Sequence, residues 1–155
     1  MRMSTTLFNA QPYDAAKVRR RRIWIASAIL AVIVLSTLAW LNRYWPEERR
    51  VNGFFAQLQA KNYESAYSIW MNDPNWKQHP DQYKRYTFHA FYLDWGPGGE
   101  WGTVKSYKIV AAQKPRPNAT GVVVGVRVNE RKKLCSVRVE FKDKTLGFSP
   151  DEMVE

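Results

Sequence analysis

"VNGFFAQLQAKNYESAYSIW", residues 51–70, carries the same apolar spacing twice in succession. Val51, Phe54, Phe55 and Leu58 stand at i, i+3, i+4 and i+7, which lines one face of an α-helix. "AKNY" (60–63) interrupts the pattern, and Asn62 is suited to cap a second helix. Tyr63, Ala66, Tyr67 and Trp70 then repeat the spacing. A helix apolar on one face needs a surface to cover, and two of them in tandem need a broad one.

The residues beyond supply it. "NDPNWKQHP" (72–80) reads as a loop, and Tyr83, Tyr86, Ala90 and Phe91 predict a third helix that ends at "DWGPGG" (94–99). "TVKSYKIVAA" (103–112) predicts a strand with Tyr107, Ile109 and Ala111 on one face. In "TGVVVGVRVN" (120–129) Val122, Val124, Val126 and Val128 share a face, as do Cys135, Val137, Val139 and Phe141 in "KLCSVRVEF" (133–141). "KTLGFS" (144–149) offers a short last strand. The connections "KPRPNA", "NERKK" and "KDK" suit antiparallel neighbours. The fold class is therefore α+β: three helices, then a curved antiparallel sheet of about four strands covered on one face.

Upstream stands "RRRRIWIASAILAVIVLSTLAWLNRYW", residues 19–45. Ile23 to Leu41 is 19 residues without a charge, and as a helix it would reach roughly 28 Å, close to the hydrocarbon thickness. Ten of these residues are Ile, Leu or Val. At about −0.3 to −0.6 kcal/mol each they favour insertion by roughly 3 to 6 kcal/mol before polar costs. Trp24, Trp40, Tyr44 and Trp45 sit near the ends, where amphipathic rings prefer the headgroup region. A buried core helix would carry a polar stripe, and this segment has none. A cleaved signal peptide would have a shorter apolar core, and its best site here, Thr37-Leu38-Ala39, would leave Trp40 at the new terminus. The expectation is an uncleaved single-pass anchor.

Arg2, Lys17 and Arg19, Arg20, Arg21 and Arg22 precede the span against a single Asp14. Basic flanks stay cytoplasmic, which places the N-terminus inside and the rest outside, in the inner (cytoplasmic) membrane with a periplasmic or other extracytoplasmic domain. The expected organisation is a cytoplasmic basic tail (1–22, its first 16 residues flexible), a transmembrane helix (23–41), a linker (42–46) and an external domain (47–155). An arginine run that abuts a membrane span serves topology and attracts anionic lipid; it is a poor nucleic-acid site.

Of 24 Lys and Arg, 18 follow the span, as do 13 of 14 acids, so the outer part is only about +5 of the chain's formal +10. Interspersed charge of this kind describes a solvated surface, and no nucleic-acid partner is expected. The single cysteine, Cys135, lies on a strand and reads as a small buried hydrophobe. With His79 and His89 the only histidines, no metal set is complete, and neither metal nor cofactor is expected. "GPGGEWG" (96–102) fails the dinucleotide fingerprint because Trp101 holds the last glycine's place and a strand follows. There is no G-x-S-x-G and no H-E-x-x-H. Asn118-Ala119-Thr120 is a glycosylation sequon, a three-residue pattern with little weight of its own.

The helix pair of residues 51–70, with its "KNYESAY", and the strands "GVVVGVRVN", "KLCSVRVEF" and closing "LGFSP" resemble the nuclear-transport-factor-2-like superfamily, a cystatin-like α+β cone. The resemblance covers roughly residues 47 to 150. It implies a pocket between sheet and helices and, in the enzymes of that superfamily, an acidic base facing hydrogen-bond donors. Candidates here are Asp94 and His89 with Tyr83 or Tyr86, though no motif selects them over core aromatics and a helix end. The plan of short basic tail, single span and external cone is also similar to the bitopic inner-membrane scaffold of bacterial type IV secretion machines.

Two function classes follow. One is a membrane-tethered binding or assembly module for a protein, peptide or lipophilic ligand, with the bilayer and a protein partner or a second copy as its contacts. The other is a tethered pocket enzyme of the isomerase or dehydratase kind. Trp76 and Trp95, in the Pro/Gly-rich connections, and Tyr83 and Tyr86 are the candidate partner or pocket contacts, whereas Trp70 belongs to the core.

Overall fold

The computed structural model describes residues 15–150, so the expected tail lies outside the described residues as far as position 14. The chain divides at Asn42/Arg43 into two units.

The first unit is one helix, α1 (Ala15–Leu41), 27 residues long with no buried residue. It takes in Arg19 to Arg22, so the arginine block expected in a tail is helical and continuous with the apolar span. Thr37 donates its hydroxyl to the Ile33 carbonyl at 2.8 Å, which satisfies one of the few polar side chains within the run. Its length and composition suffice to cross a membrane.

The second unit is α+β. α2 (Trp45–Gln59) begins two residues before the expected linker ends, because Pro46 fits the first turn, where its missing N–H costs nothing. Glu47 and Glu48 in that turn favour the positive end of the helix. α3 (Tyr63–Met71) is capped by the Asn62 side chain, which accepts from the Ser65 N–H. It ends at Asn72 in the left-handed conformation.

The expected third helix is corrected. Tyr83 and Tyr86 precede it. Trp76–Gln78 and Pro80–Tyr83 form two short 3-10 turns, and α4 spans only Phe88–Trp95. Thr87 accepts from the Ala90 N–H and starts the helix there, so the three-residue spacing of the tyrosines reflects turns, not an α-helical face.

β1 (Tyr107–Gln113), β2 (Gly121–Val128), β3 (Leu134–Glu140) and β4 (Leu146–Phe148) form one antiparallel sheet in that order. Val122, Val124, Val126 and Val128 of β2 and Val137 and Val139 of β3 face the core as the alternation predicts, and all are buried. In β1 the register shifts between Ile109 and Ala111, so Ala112 packs on the core and Ala111 is exposed, contrary to the simple alternation. Val123, on the other face of β2, is also buried, flanked across the strands by Gln113 and Arg138. At "GPGG", Gly99 lies so close to the Asp94 carbonyl that a side chain would overlap it, which makes the segment a tight turn.

The space between the helices and the sheet is filled. Phe54 meets Trp95 at 4.9 Å and Trp70 at 5.1 Å between ring centres, and Phe55 meets Trp95 at 5.8 Å. The rings pack mostly edge-on or tilted, the arrangement their quadrupoles favour. Where the resemblance implied a pocket, this unit holds aromatic side chains.

Candidate functional site

A cavity of about 320 Å³ opens at the side of the second unit, between α3, the two 3-10 turns and the start of α4. Tyr67, Trp76, Lys77, Pro80, Tyr83, Thr87 and Phe88 line it. Tyr67 forms its floor, fully buried, with its hydroxyl donated to the Tyr86 carbonyl at 2.6 Å. Trp76 stands edge-on to Tyr67 at 4.8 Å and stacks on Phe88 at 5.2 Å. The walls are thus apolar rings held by one another. Lys77 supplies a positive rim, with Nζ 5.5 Å from the Trp76 ring and 2.6 Å from the Glu64 carboxylate. Both partners of that ion pair are mostly exposed, so it is weak and exchangeable.

The wall bearing Tyr83 is fixed from behind by Asp73. One Asp73 oxygen accepts from the Asn75 N–H at 2.7 Å. The other accepts from the Tyr83 hydroxyl at 2.7 Å and lies 2.8 Å from His79 Nδ1. These hydrogen bonds, first His79 and then Tyr83, hold the Asp73 carboxyl below the usual carboxylate range. Burial, with the Asp73 bond second, pushes the Tyr83 phenol up to about 12, so it stays protonated at neutral pH. The cluster fixes geometry: the Tyr83 proton is committed to Asp73, and the carboxylate already faces three donors. What the cavity offers chemically is an apolar, aromatic recess with one cation at its mouth. A wider groove along α1, from Ala16 to Ser27, is the flank of a lone helix.

Of the residues singled out by sequence, Trp76 and Tyr83 meet in this cavity. Trp95 does not, and here the expectation is corrected: it closes α4, is 2 % exposed and belongs to the core. Its position before "GPGG" suggested a loop, but Trp95 is the last residue of α4 and Gly96 follows the helix directly. Trp70 is core, as expected. Tyr86 lies outside the cavity lining and donates its hydroxyl to Asp94 at 2.8 Å; burial, more than that bond, holds its phenol well above the ordinary range. Of the four candidates for an acid–base site, Asp94 and Tyr86 meet, whereas Tyr83 serves Asp73 and His89 is exposed on α4. On α1, Arg19 to Arg22, Trp24 and Trp40 are exposed, and Trp45, exposed too, opens α2.

Sequence reasoning missed Asp73 and Tyr67 as parts of the site. "NDPN" (72–75) carried a signal for Asp73, since an Asp ahead of Pro-Asn commonly bonds its own backbone two residues on. Among the described residues no three His, Cys, Asp or Glu side chains gather in a metal-binding group. Cys135 is buried, and its thiol is pushed up to about 12, which leaves it unreactive. No protein-family description, curated protein or solved structure matches this chain.

Proposed function

We propose that this protein is a single-pass, membrane-anchored binding module whose external unit holds a partner through the aromatic cavity. α1 crosses the inner membrane with the arginine block on the cytoplasmic side, and residues from about 46 onward lie outside. The external unit is a cone of the nuclear-transport-factor-2-like kind, with its interior closed by aromatic packing and its binding recess moved to the flank. The occupant is an apolar or aromatic group, from a protein or peptide side chain or from a lipophilic ligand, carrying negative charge near its edge for Lys77.

One observation carries the reading: Tyr67, Trp76, Tyr83 and Phe88 enclose about 320 Å³ at the surface, the lower end of the range for small-ligand sites. The test uses anilinonaphthalene sulfonate, an aromatic anion, with the full chain in detergent micelles. Saturable binding is expected above the micelle background. It should weaken at least tenfold in Trp76→Ala and several-fold in Lys77→Ala, with the melting temperature moved by no more than a few degrees. Binding that is unsaturable, or equal in the wild type and Trp76→Ala, would refute the cavity as a site.

A further inference from the structure

We infer that the end of the α+β unit where the chain arrives from α1 is a docking surface for anionic lipid headgroups. The inference rests on the membrane-anchored reading above and adds a second contact with the bilayer. In an antiparallel sheet ordered β1 to β4, the β1–β2 loop (114–120) and the β3–β4 turn (141–145) emerge at one edge. Lys144 Nζ lies 2.8 Å from the buried Glu47 carboxylate, which ties that edge to the first turn of α2. The Asn72 amide, at the end of α3, donates to the Asp143 carbonyl at 2.7 Å and closes the same end.

Cations and rings alternate there. The ammonium groups of Lys114 and Lys144 stand 5.5 and 5.6 Å from the Phe141 ring. The guanidinium of Arg49 lies 5.2 Å from the Trp45 ring, and that of Arg43 lies 4.7 Å from the Tyr44 ring. Lys142 and Arg116 are exposed at the tips of the two loops. The acids at this end are fewer and less available. Glu47 is covered by Lys144, Glu48 is half-buried, Glu140 is held by Arg138 and the Thr120 hydroxyl, and the exposed Asp143 carboxylate accepts from the Thr145 N–H and hydroxyl. At the opposite end, Lys133 is paired with Glu100 at 2.9 Å and Arg131 donates to the Glu100 carbonyl.

Chain length decides the occupant. Leu41 closes α1 and Trp45 opens α2, so four peptide steps span at most roughly 14 Å. If α1 ends at the bilayer surface, Arg43 and Trp45 are held within about two Debye lengths of the charged plane, with Arg49 one helical turn further on. Aromatic rings flanked by cations are the side chains that favour this layer. Each such cation strengthens attachment to an anionic surface by about fivefold.

The test reconstitutes the full chain in nanodiscs of phosphatidylcholine, alone or mixed with phosphatidylglycerol. A fluorophore is placed at Asn118→Cys, in the β1–β2 loop, or at Lys132→Cys, at the other end; the buried Cys135 does not compete for label. Energy transfer to a headgroup acceptor should be greater at 118 than at 132. It should rise at 118 with phosphatidylglycerol and fall again in high salt. Adding Lys114→Glu and Lys142→Glu should return it to the level of neutral discs without changing the melting temperature. An inserted chain whose 118 label ignores lipid charge, or whose 132 label lies nearer the headgroups, would overturn this inference alone. A chain that fails to insert in either disc would overturn the anchored reading and this inference with it.

Discussion

Asp73 holds three donors on one carboxylate, and the sign of its effect on stability follows from its lowered pKa. A carboxyl with a depressed folded value stabilises the protein fully above its ordinary value of 3.8, and that contribution is lost as pH falls through the lowered folded value. Tyr83 behaves oppositely: its raised value gives a contribution complete below 10 and lost as pH climbs through about 12. The cavity wall should therefore be firm at neutral pH and loosen in acid. Asp73→Asn should make the acid limb of the stability–pH curve shallower below about pH 4 and weaken the alkaline limb without abolishing it, because burial raises the Tyr83 phenol more than Asp73 does. Tyr83→Phe should make the alkaline one shallower, with Tyr86 supplying part of what is left. Equal acid limbs in Asp73→Asn and the wild type, measured by thermal melts across pH, would show that the cluster is not coupled to folding. The cluster was hard to read in the sequence. His79 and Tyr83 lie six and ten residues from Asp73, separations that match no regular period, and only the two intervening 3-10 turns bring them onto one carboxylate.

Elements with an uninterrupted period were legible, and those set by a local cap or an irregular residue were not. α2 and α3 follow their apolar spacing, because one continuous face of each packs on the core. β1 follows its alternation only to Ile109, since a register shift in the ladder leaves no mark on which residues are apolar. α4 was placed too early because two tyrosines outside it happened to keep its spacing, while the Thr87 side chain decided where the helix starts. That cap is testable. Thr87→Ala should cost about 1 kcal/mol in a denaturant titration, and Thr87→Ser should cost less than half of that. If Ala and Ser variants are equally stable, the Thr87 hydroxyl is not what starts α4.

At the scale of the whole molecule, the division at Asn42/Arg43 separates two kinds of surface. α1 exposes Leu30, Val32, Leu35 and Leu41, each more than 60 % accessible, with apolar side chains all round and none buried. Water disfavours so large a contiguous apolar area, whereas a bilayer solvates it, and a helix satisfies its own backbone there. The second unit instead buries or half-buries most of its valines and aromatic rings, with Val110, Trp45 and Phe148 among those left exposed, and turns nearly all its charges outward. The apolar span of α1 and its end at Leu41 were legible because 19 uncharged residues leave few alternatives; its start was not, since the helix runs back through the arginine block to Ala15, and its orientation is read from charge alone. The orientation makes the sharpest prediction. In intact spheroplasts, added protease should remove the α+β unit and leave a fragment of about forty residues or more that stays in the membrane through an alkaline wash, since α1 and the tail are protected. Replacing Arg19 to Arg22 with asparagine leaves only Arg2 and Lys17 ahead of the span, against Arg43, Arg49 and Arg50 behind it. The variant should then insert in both orientations, and part of the α+β unit should become resistant until the spheroplasts are lysed. Complete protection of that unit in the wild type would reverse the topology, and digestion of the entire chain after the alkaline wash would show that α1 does not span the bilayer.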